Sequence, residues 1–179
     1  MIDIETLDNK AGAVITQIGA ANFDRETGKI LSTFSTNVDA ASCQKLGMTI
    51  GADTVMWWFA QSNAAMESLC NPIPVPVAEA LNRFRQWTAD QRKALDDRIL
   101  IWCHASFDFP ILSRAFEICN LVVPWGYTHY RDIRTVVDLA GLDLKQYRMA
   151  EGQAHNALQD TLNQVKYTAD ALRIIRSSR

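Results

Sequence analysis

Residues 2–37 carry three apolar or β-branched stretches in close succession, and this spacing commits the start of the chain to a sheet. IDIE (2–5) reads as a strand that begins almost at the first residue. AVITQIGAANF (13–23) reads as a second strand and ILSTFSTN (30–37) as a third. Between them DRETGK (24–29) has the polar, glycine-containing character of a hairpin turn. The pattern predicts a β-meander.

The remainder alternates between helix and strand. A helix is expected over 53–66, with Asp53 or Thr54 as its N-cap. NPIPVPV (71–77) has prolines at alternate positions, which no helix interior tolerates, so it reads as an extended connector. A second helix follows over 77–96, with Val77, Leu81, Phe84, Trp87 and Leu95 near helical spacing. ILIWC (99–103) is a short continuous apolar run, as expected of a strand buried on both faces. Helices are expected over 110–119, with Pro110 in the first turn, and over 132–140, stopped by Gly141. The last helix, 156–175, aligns Leu158, Leu162, Val165, Ala169 and Leu172 as an apolar stripe that reads as core packing. Strands first, then alternating helix and strand, predict a mixed α/β layer architecture. The length of 179 residues fits one domain, 1–179, and no repeat or linker is evident.

Composition excludes little. No apolar run is long enough to span a membrane, and MIDIETLDNK (1–10) is acidic where a secretory signal would be basic. Cys43, Cys70, Cys103 and Cys119 form no CxxC pair and no zinc spacing, so free thiols and a cytoplasmic location are expected. A net charge of −2 neither requires nor forbids a nucleic-acid partner. Ions held by acidic side chains can supply positive charge that a residue count misses.

The chemistry lies in the acidic residues. Asp3 and Glu5 are two apart on a strand and so project from one face, where two close carboxylates repel and invite a divalent cation. Asp108 follows the buried strand ILIWC, and strand ends of α/β sheets commonly carry ligand sites. His155 and Asp160 are five apart, about 140° on a continuous helix. They can meet one site only if His155 sits in the loop before the helix, which Gly152 and the polar run ahead of it allow. Each element has a plainer reading: a solvated strand end, a helix N-cap, or an aspartate stabilising a helix dipole. Their order and spacing together are more specific.

Asp-x-Glu on the first strand, Phe-Asp after a central strand and His-x4-Asp on the last helix resemble the three exonuclease motifs of the DEDDh family. ITQIGA (15–20) resembles that family's second strand, and the likeness spans residues 2 to 170. ADTVMWWFAQ (52–61) and RDIRT (131–135) look like the compact branch found in phage exonucleases and some bacterial exoribonucleases. The resemblance implies a ribonuclease-H-like fold and metal-dependent 3′-to-5′ hydrolysis of RNA or DNA, releasing nucleoside 5′-monophosphates. It implies two divalent ions, Mg²⁺ or Mn²⁺. Asp3 would bridge both, Glu5 and Asp160 would hold the first, and Asp108 would hold the second. His155 would be the general base, since imidazole exchanges protons near neutral pH. Oxygen ligands without a thiolate favour magnesium or manganese over zinc.

The resemblance also implies that the backbone of Thr6 and the side chain of Leu7 meet the terminal nucleotide. Trp57, Trp58 and Phe107 offer faces for base stacking. Adjacent tryptophans on a helix diverge by about 100°, so at least one belongs to the core. Arg131, Arg134, Lys145 and Arg148 could meet phosphates or form a solvated basic face. The chain departs from the family at Cys103 and His104, which stand where histidine and asparagine are common; His104 reads as structural rather than as a ligand. The expected partner is a single-stranded or 3′-overhang nucleic acid, with a homodimer implied by compact relatives. Two other readings share the fold: a ribonuclease-H-type endonuclease, and a nucleic-acid-binding module without catalysis.

Overall fold

The computed structural model describes residues 1–94, 99–150 and 154–178. The meander forms as expected: β1 (Ile2–Thr6), β2 (Ile15–Phe23) and β3 (Ile30–Asn37) make an antiparallel sheet in that order. Ala13 and Val14 fall outside β2, and Ala13 makes only an isolated bridge to Thr49. Two helices follow, α1 (Ala40–Lys45) and α2 (Ala52–Phe59), then α3 (Asn63–Ser68) and the long α4 (Val77–Ala94). The second half contains β4 (Ile101–Cys103), α5 (Asp108–Ile118), β5 (Tyr130–Asp132), α6 (Ile133–Leu139) and α7 (Ala157–Ser177). β4 lies against β1 and pairs in parallel with β5. The architecture is α/β and ribonuclease-H-like, an antiparallel meander beside parallel strands with helices flanking both.

Several boundaries differ from the sequence expectation for identifiable reasons. The helix expected over 53–66 is two, because Ser62 caps a new helix by accepting from Ala65 N–H. The first of the pair is capped by Gly51, not by Asp53 or Thr54. α5 starts two residues ahead of Pro110, which still sits in the first turn, where its missing N–H would have no helical partner. α6 begins after Asp132, whose carboxylate accepts from Thr135 N–H, and Gly141 beyond its end has φ +61°. β5 and α1 are too short to show a period in the sequence. Leu95 and Gly152 lie outside the described residues.

Alternation along β1 divides its side chains between two layers. Ile2 and Ile4 join the main core with Ile15, Ile18, Leu81, Phe84, Leu112 and Phe116. Asp3 and Glu5 face the other way, towards α7 and a smaller cluster that includes Trp102, Val165 and Tyr167. α7 packs chiefly on β2. The most buried line of α7 is Ala157, Thr161, Gln164, Thr168 and Ala171, at steps of four and three. Of the expected stripe, Val165 and Ala169 are buried, and Leu158, Leu162 and Leu172 flank the line half-buried. Small residues are needed there because the backbones approach closely: a Cβ on Gly19 would lie 2.3 Å from the carbonyl carbon of Ala157. Gly19 pairs with Asp3 across the sheet, so the helix rests on the same face from which the carboxylate projects.

The cysteines are all free; Cys43 and Cys103 are buried. Among the described residues no helix is long and apolar enough to cross a membrane.

Gly19→Ala is expected to destabilise the protein by about 1–3 kcal/mol or more, because backbone rather than a flexible side chain must give way. Urea unfolding reads this as a lowered midpoint. An unchanged midpoint would mean that α7 can back away from β2 at no cost.

Candidate active site

Three separate devices bring the acidic residues together. The first is β1, whose pleat places Asp3 and Glu5 on one face. Beyond Glu5 the pairing with β2 shifts register: Glu5 opposes Gln17 and Thr6 opposes Ile15, so Thr16 is an extra residue. Such a bulge twists the strand end locally.

The second device is the β4–α5 turn. Asp108 opens α5, and one of its oxygens accepts from His104 N–H at 2.7 Å. The third is the entry to α7. His155 has φ +64°, a left-handed conformation that side chains other than glycine adopt at a cost. This bend lets Asn156 cap the helix by accepting from Gln159 N–H, while His155 N–H donates to Asp160 Oδ2 at 2.9 Å. The histidine thus lies just ahead of the helix, as its offset from Asp160 requires.

Two groups of possible ligand atoms result. Oxygens of Asp3 and Asp108 and a ring nitrogen of His104 lie within 4.8 Å of one another. Oxygens of Glu5 and Asp160 and a ring nitrogen of His155 form a second such group. Both border a cleft of about 520 Å³. Asp3 is held by Gln164, whose amide N–H donates to Asp3 Oδ1 at 2.7 Å. Trp57 packs edge-on against His155, with ring centroids 4.8 Å apart.

Burial raises every carboxylate in the cluster, and repulsion between them adds to it at Asp3 and Glu5. Burial pushes Asp3 well above the usual range, and the charges of Asp108, Glu5 and Asp160 push it further. Glu5 is raised by burial and then by Asp160, with which it shares a hydrogen bond. Asp108 is pushed up to about 7 by burial, against the backbone N–H bond from His104 that favours its charge. Asp160 is raised by burial against the attraction of His155. Asp108 Oδ1 is buried without a hydrogen-bond partner among the described residues, the condition a cation would relieve. Four carboxylates with an orphaned oxygen among them fit a hard divalent ion.

The remaining expected residues divide. Thr6, Trp58 and Phe107 line the cleft; Leu7 does not, because its side chain packs on the main core. Thr6 C=O accepts from the Trp58 indole, while Leu7 N–H and C=O bond Val14 and Gly51. Of the two tryptophans, Trp58 is the buried one and Trp57 is 44% exposed, so Trp57 has the freer face. Of the four candidate cations only Arg134 lines the cleft. Arg131 and Arg148 border other cavities. His104, expected to be structural, sits beside Asp3 and Asp108; burial holds it neutral, with its pKa lowered to about 4.

Two contributors escaped the sequence reading. Gln164 lies one turn beyond Asp160, and its signal was a polar residue on a helix face that has to be buried. Gln17 reads in sequence as an ordinary strand residue. In the fold its Oε1 accepts from Ala157 N–H and its amide donates to Ser68 C=O, tying α7 to β2 and α3.

Asp108→Asn is expected to stabilise the protein at pH 8 without divalent ions by ~1 kcal/mol, about 2–4 °C in Tm for a chain of this size. The amide removes one charge from the cluster and still accepts from His104 N–H. A lower Tm in thermal melts would mean that repulsion does not govern the cluster.

No match was found among curated proteins or among solved structures. One family matches nearly the whole chain, from the residue before β1 into the C-terminal half of α7. The residues that build the cleft all fall inside that match. The chain belongs to the 3′-5′ exoribonuclease Rv2179c-like domain family, which covers its residues 1–172.

Proposed function

We propose that the chain removes nucleoside 5′-monophosphates stepwise from the 3′ end of a single-stranded or 3′-overhanging nucleic acid, RNA first, with two divalent ions of the Mg²⁺ or Mn²⁺ kind. One observation carries the reading: two ligand groups, Asp3/His104/Asp108 and Glu5/His155/Asp160, border one cleft, and a buried oxygen of Asp108 has no hydrogen-bond partner among the described residues. Asp3, Glu5, Asp108 and Asp160 would hold the ions in the DEDDh manner. When bound, the ions would neutralise the cluster and stabilise charge on the attacking and leaving oxygens.

The chain's own groups supply the rest. His155 takes a proton from the attacking water, whose oxygen bonds to phosphorus. The bond from phosphorus to the upstream 3′ oxygen breaks, and that oxygen takes up a proton from solvent. Trp57 restrains the His155 ring from one side. Gln164 fixes one oxygen of Asp3 and leaves the other free. The exposed face of Trp57 suits an unstacked base, which favours a single-stranded end.

The test is hydrolysis of 3′-labelled and 5′-labelled oligonucleotides with Mg²⁺ or Mn²⁺. Stepwise release from the 3′ end is expected, abolished by chelator and by Asp3→Ala. His155→Ala is expected to slow turnover by about 10²–10⁴-fold, the usual contribution of a general base. Internal cutting would favour the endonuclease, and binding without turnover would favour the non-catalytic module.

A second outcome concerns pH. Raised carboxylate pKa values mean that the folded, metal-free protein holds protons more tightly than the unfolded chain. Their contribution to stability is therefore largest in acid and is lost as pH rises, through about 7 at Asp108. Burial of the Met1 amine and of His104 lowers both groups, to about 5 and about 4, and acts in the opposite sense. The clean readout is the change on adding ions, because protons and cations compete for the same oxygens. Mg²⁺ or Mn²⁺ should raise Tm more at pH 8 than at pH 5.5; an equal shift at both would remove the carboxylates as ligands.

A further inference from the structure

Of the two histidines lining the cleft, His155 has a task in the exonuclease reading and His104 has none. Their surroundings differ. The rings of Trp57 and Trp58 lie edge-on to His155, at centroid distances of 4.8 and 6.2 Å. His104 follows β4 directly, at a position where the chain departs from the DEDDh pattern.

The backbone of His104 is committed to the turn that carries Asp108. Its N–H donates to Asp108 Oδ2 at 2.7 Å, and its C=O accepts from Phe107 and Asp108 N–H at 2.8 and 3.0 Å. The next residue, Ala105, donates its N–H to Asp132 Oδ2, which pins the turn to the start of α6. The two side chains therefore leave the backbone from fixed points. The imidazole itself is uncommitted. Its Nδ1 lies 3.7 Å from Asp108 Oδ2, too far for a hydrogen bond, and that oxygen already accepts the backbone N–H. Neither ring nitrogen forms a hydrogen bond among the described residues.

A ring nitrogen of His104 and oxygens of Asp3 and Asp108 lie within 4.8 Å of one another. Two donors bound to one ion at about 2.1 Å each are at most about 4.2 Å apart, so these three atoms need only a small shift to share one. The other oxygen of Asp108 is buried without a hydrogen-bond partner among the described residues, an independent sign that a ligand belongs here. A water molecule could satisfy that oxygen but would leave the repulsion between the carboxylates in place; a cation removes both costs. The donors also select the ion. Mg²⁺ prefers oxygen ligands and loses its waters reluctantly. An imidazole nitrogen favours first-row transition ions over Mg²⁺, and among these Mn²⁺ keeps a preference for carboxylates.

We infer that His104 completes a mixed nitrogen–oxygen site with Asp3 and Asp108, and that this site takes Mn²⁺ in preference to Mg²⁺. The inference rests on the exonuclease reading and makes the two ion positions chemically unequal. At the Glu5/Asp160 position the neighbouring imidazole is His155, which that reading needs as a free base.

The test is pulsed EPR of the full chain carrying ¹⁵N-labelled histidine, with Mn²⁺ as the probe and no nucleic acid present. Coupling of Mn²⁺ to ¹⁵N is expected in the wild type and in His155→Asn, where asparagine tolerates the left-handed backbone. It is expected to vanish in His104→Asn. Coupling that persists in His104→Asn, or is missing from His155→Asn, overturns the inference. Competition between the ions gives a second readout. The ratio of the Mg²⁺ to the Mn²⁺ dissociation constant should fall about tenfold or more in His104→Asn, since even a residue one step removed from a metal contributes about 10–100-fold in affinity; an unchanged ratio sinks the preference for Mn²⁺. A wild-type protein that binds Mn²⁺ without ¹⁵N coupling refutes the role of His104 and leaves the exonuclease reading intact. One that binds no Mn²⁺ at all removes the two-ion reading and this inference with it.

Discussion

The close approach of α7 to β2 is the contact from which the geometry of the site follows. At Gly19 the absence of a side chain lets the first turn of α7 rest on the strand backbone. At Gln17 a side-chain oxygen accepts from Ala157 N–H, satisfying one of the donors that a helix start leaves over. The two contacts fix the height and the register of the helix. Asp160 and Gln164 then lie above Asp3 and Glu5, with His155 held at the entry. A larger residue at position 19 would lift the helix from the carboxylates as well as loosen the core.

The carboxylate cluster is the opposite kind of feature, a region that the fold supports at its own expense. Three buried acids and the half-buried Asp160, all with raised pKa values, and an orphaned oxygen are unfavourable by themselves. They persist because the elements carrying them are committed elsewhere: β1 through Ile2 and Ile4 in the main core, α5 through Leu112 and Phe116, and α7 through β2. The cost is met by packing that has nothing to do with the cleft. Strongly perturbed acids gathered in a concave space are the physical mark of a functional site.

What could be read from the sequence, and what could not, follows from range. The meander, the long helices and the Asp3/Glu5 face rest on local periodicity, which a sequence displays directly. The loop position of His155 could be deduced because the five-residue offset excludes a continuous helix. Gln17 and Gln164 were illegible because their roles are long-range: Gln17 bonds across 140 residues to Ala157 and Gln164 across 161 to Asp3. The stripe expected along α7 holds at Val165 and Ala169, which are buried, but was drawn towards the half-buried leucines because apolar character outranks size in a periodicity argument. The tight approach at Gly19 reverses that order. Leu7 faces the core for a similar reason, since Val14 and Gly51 claim its backbone.

The left-handed backbone at His155 sets two demands against each other at one position. The bend itself would be most comfortable for glycine, and tolerable for asparagine, yet neither carries an imidazole. Any drift towards greater folding stability at this residue would therefore discard the imidazole that the proposed mechanism uses. The strained histidine is a point where a survey of stabilising substitutions and a survey of active ones should disagree most sharply.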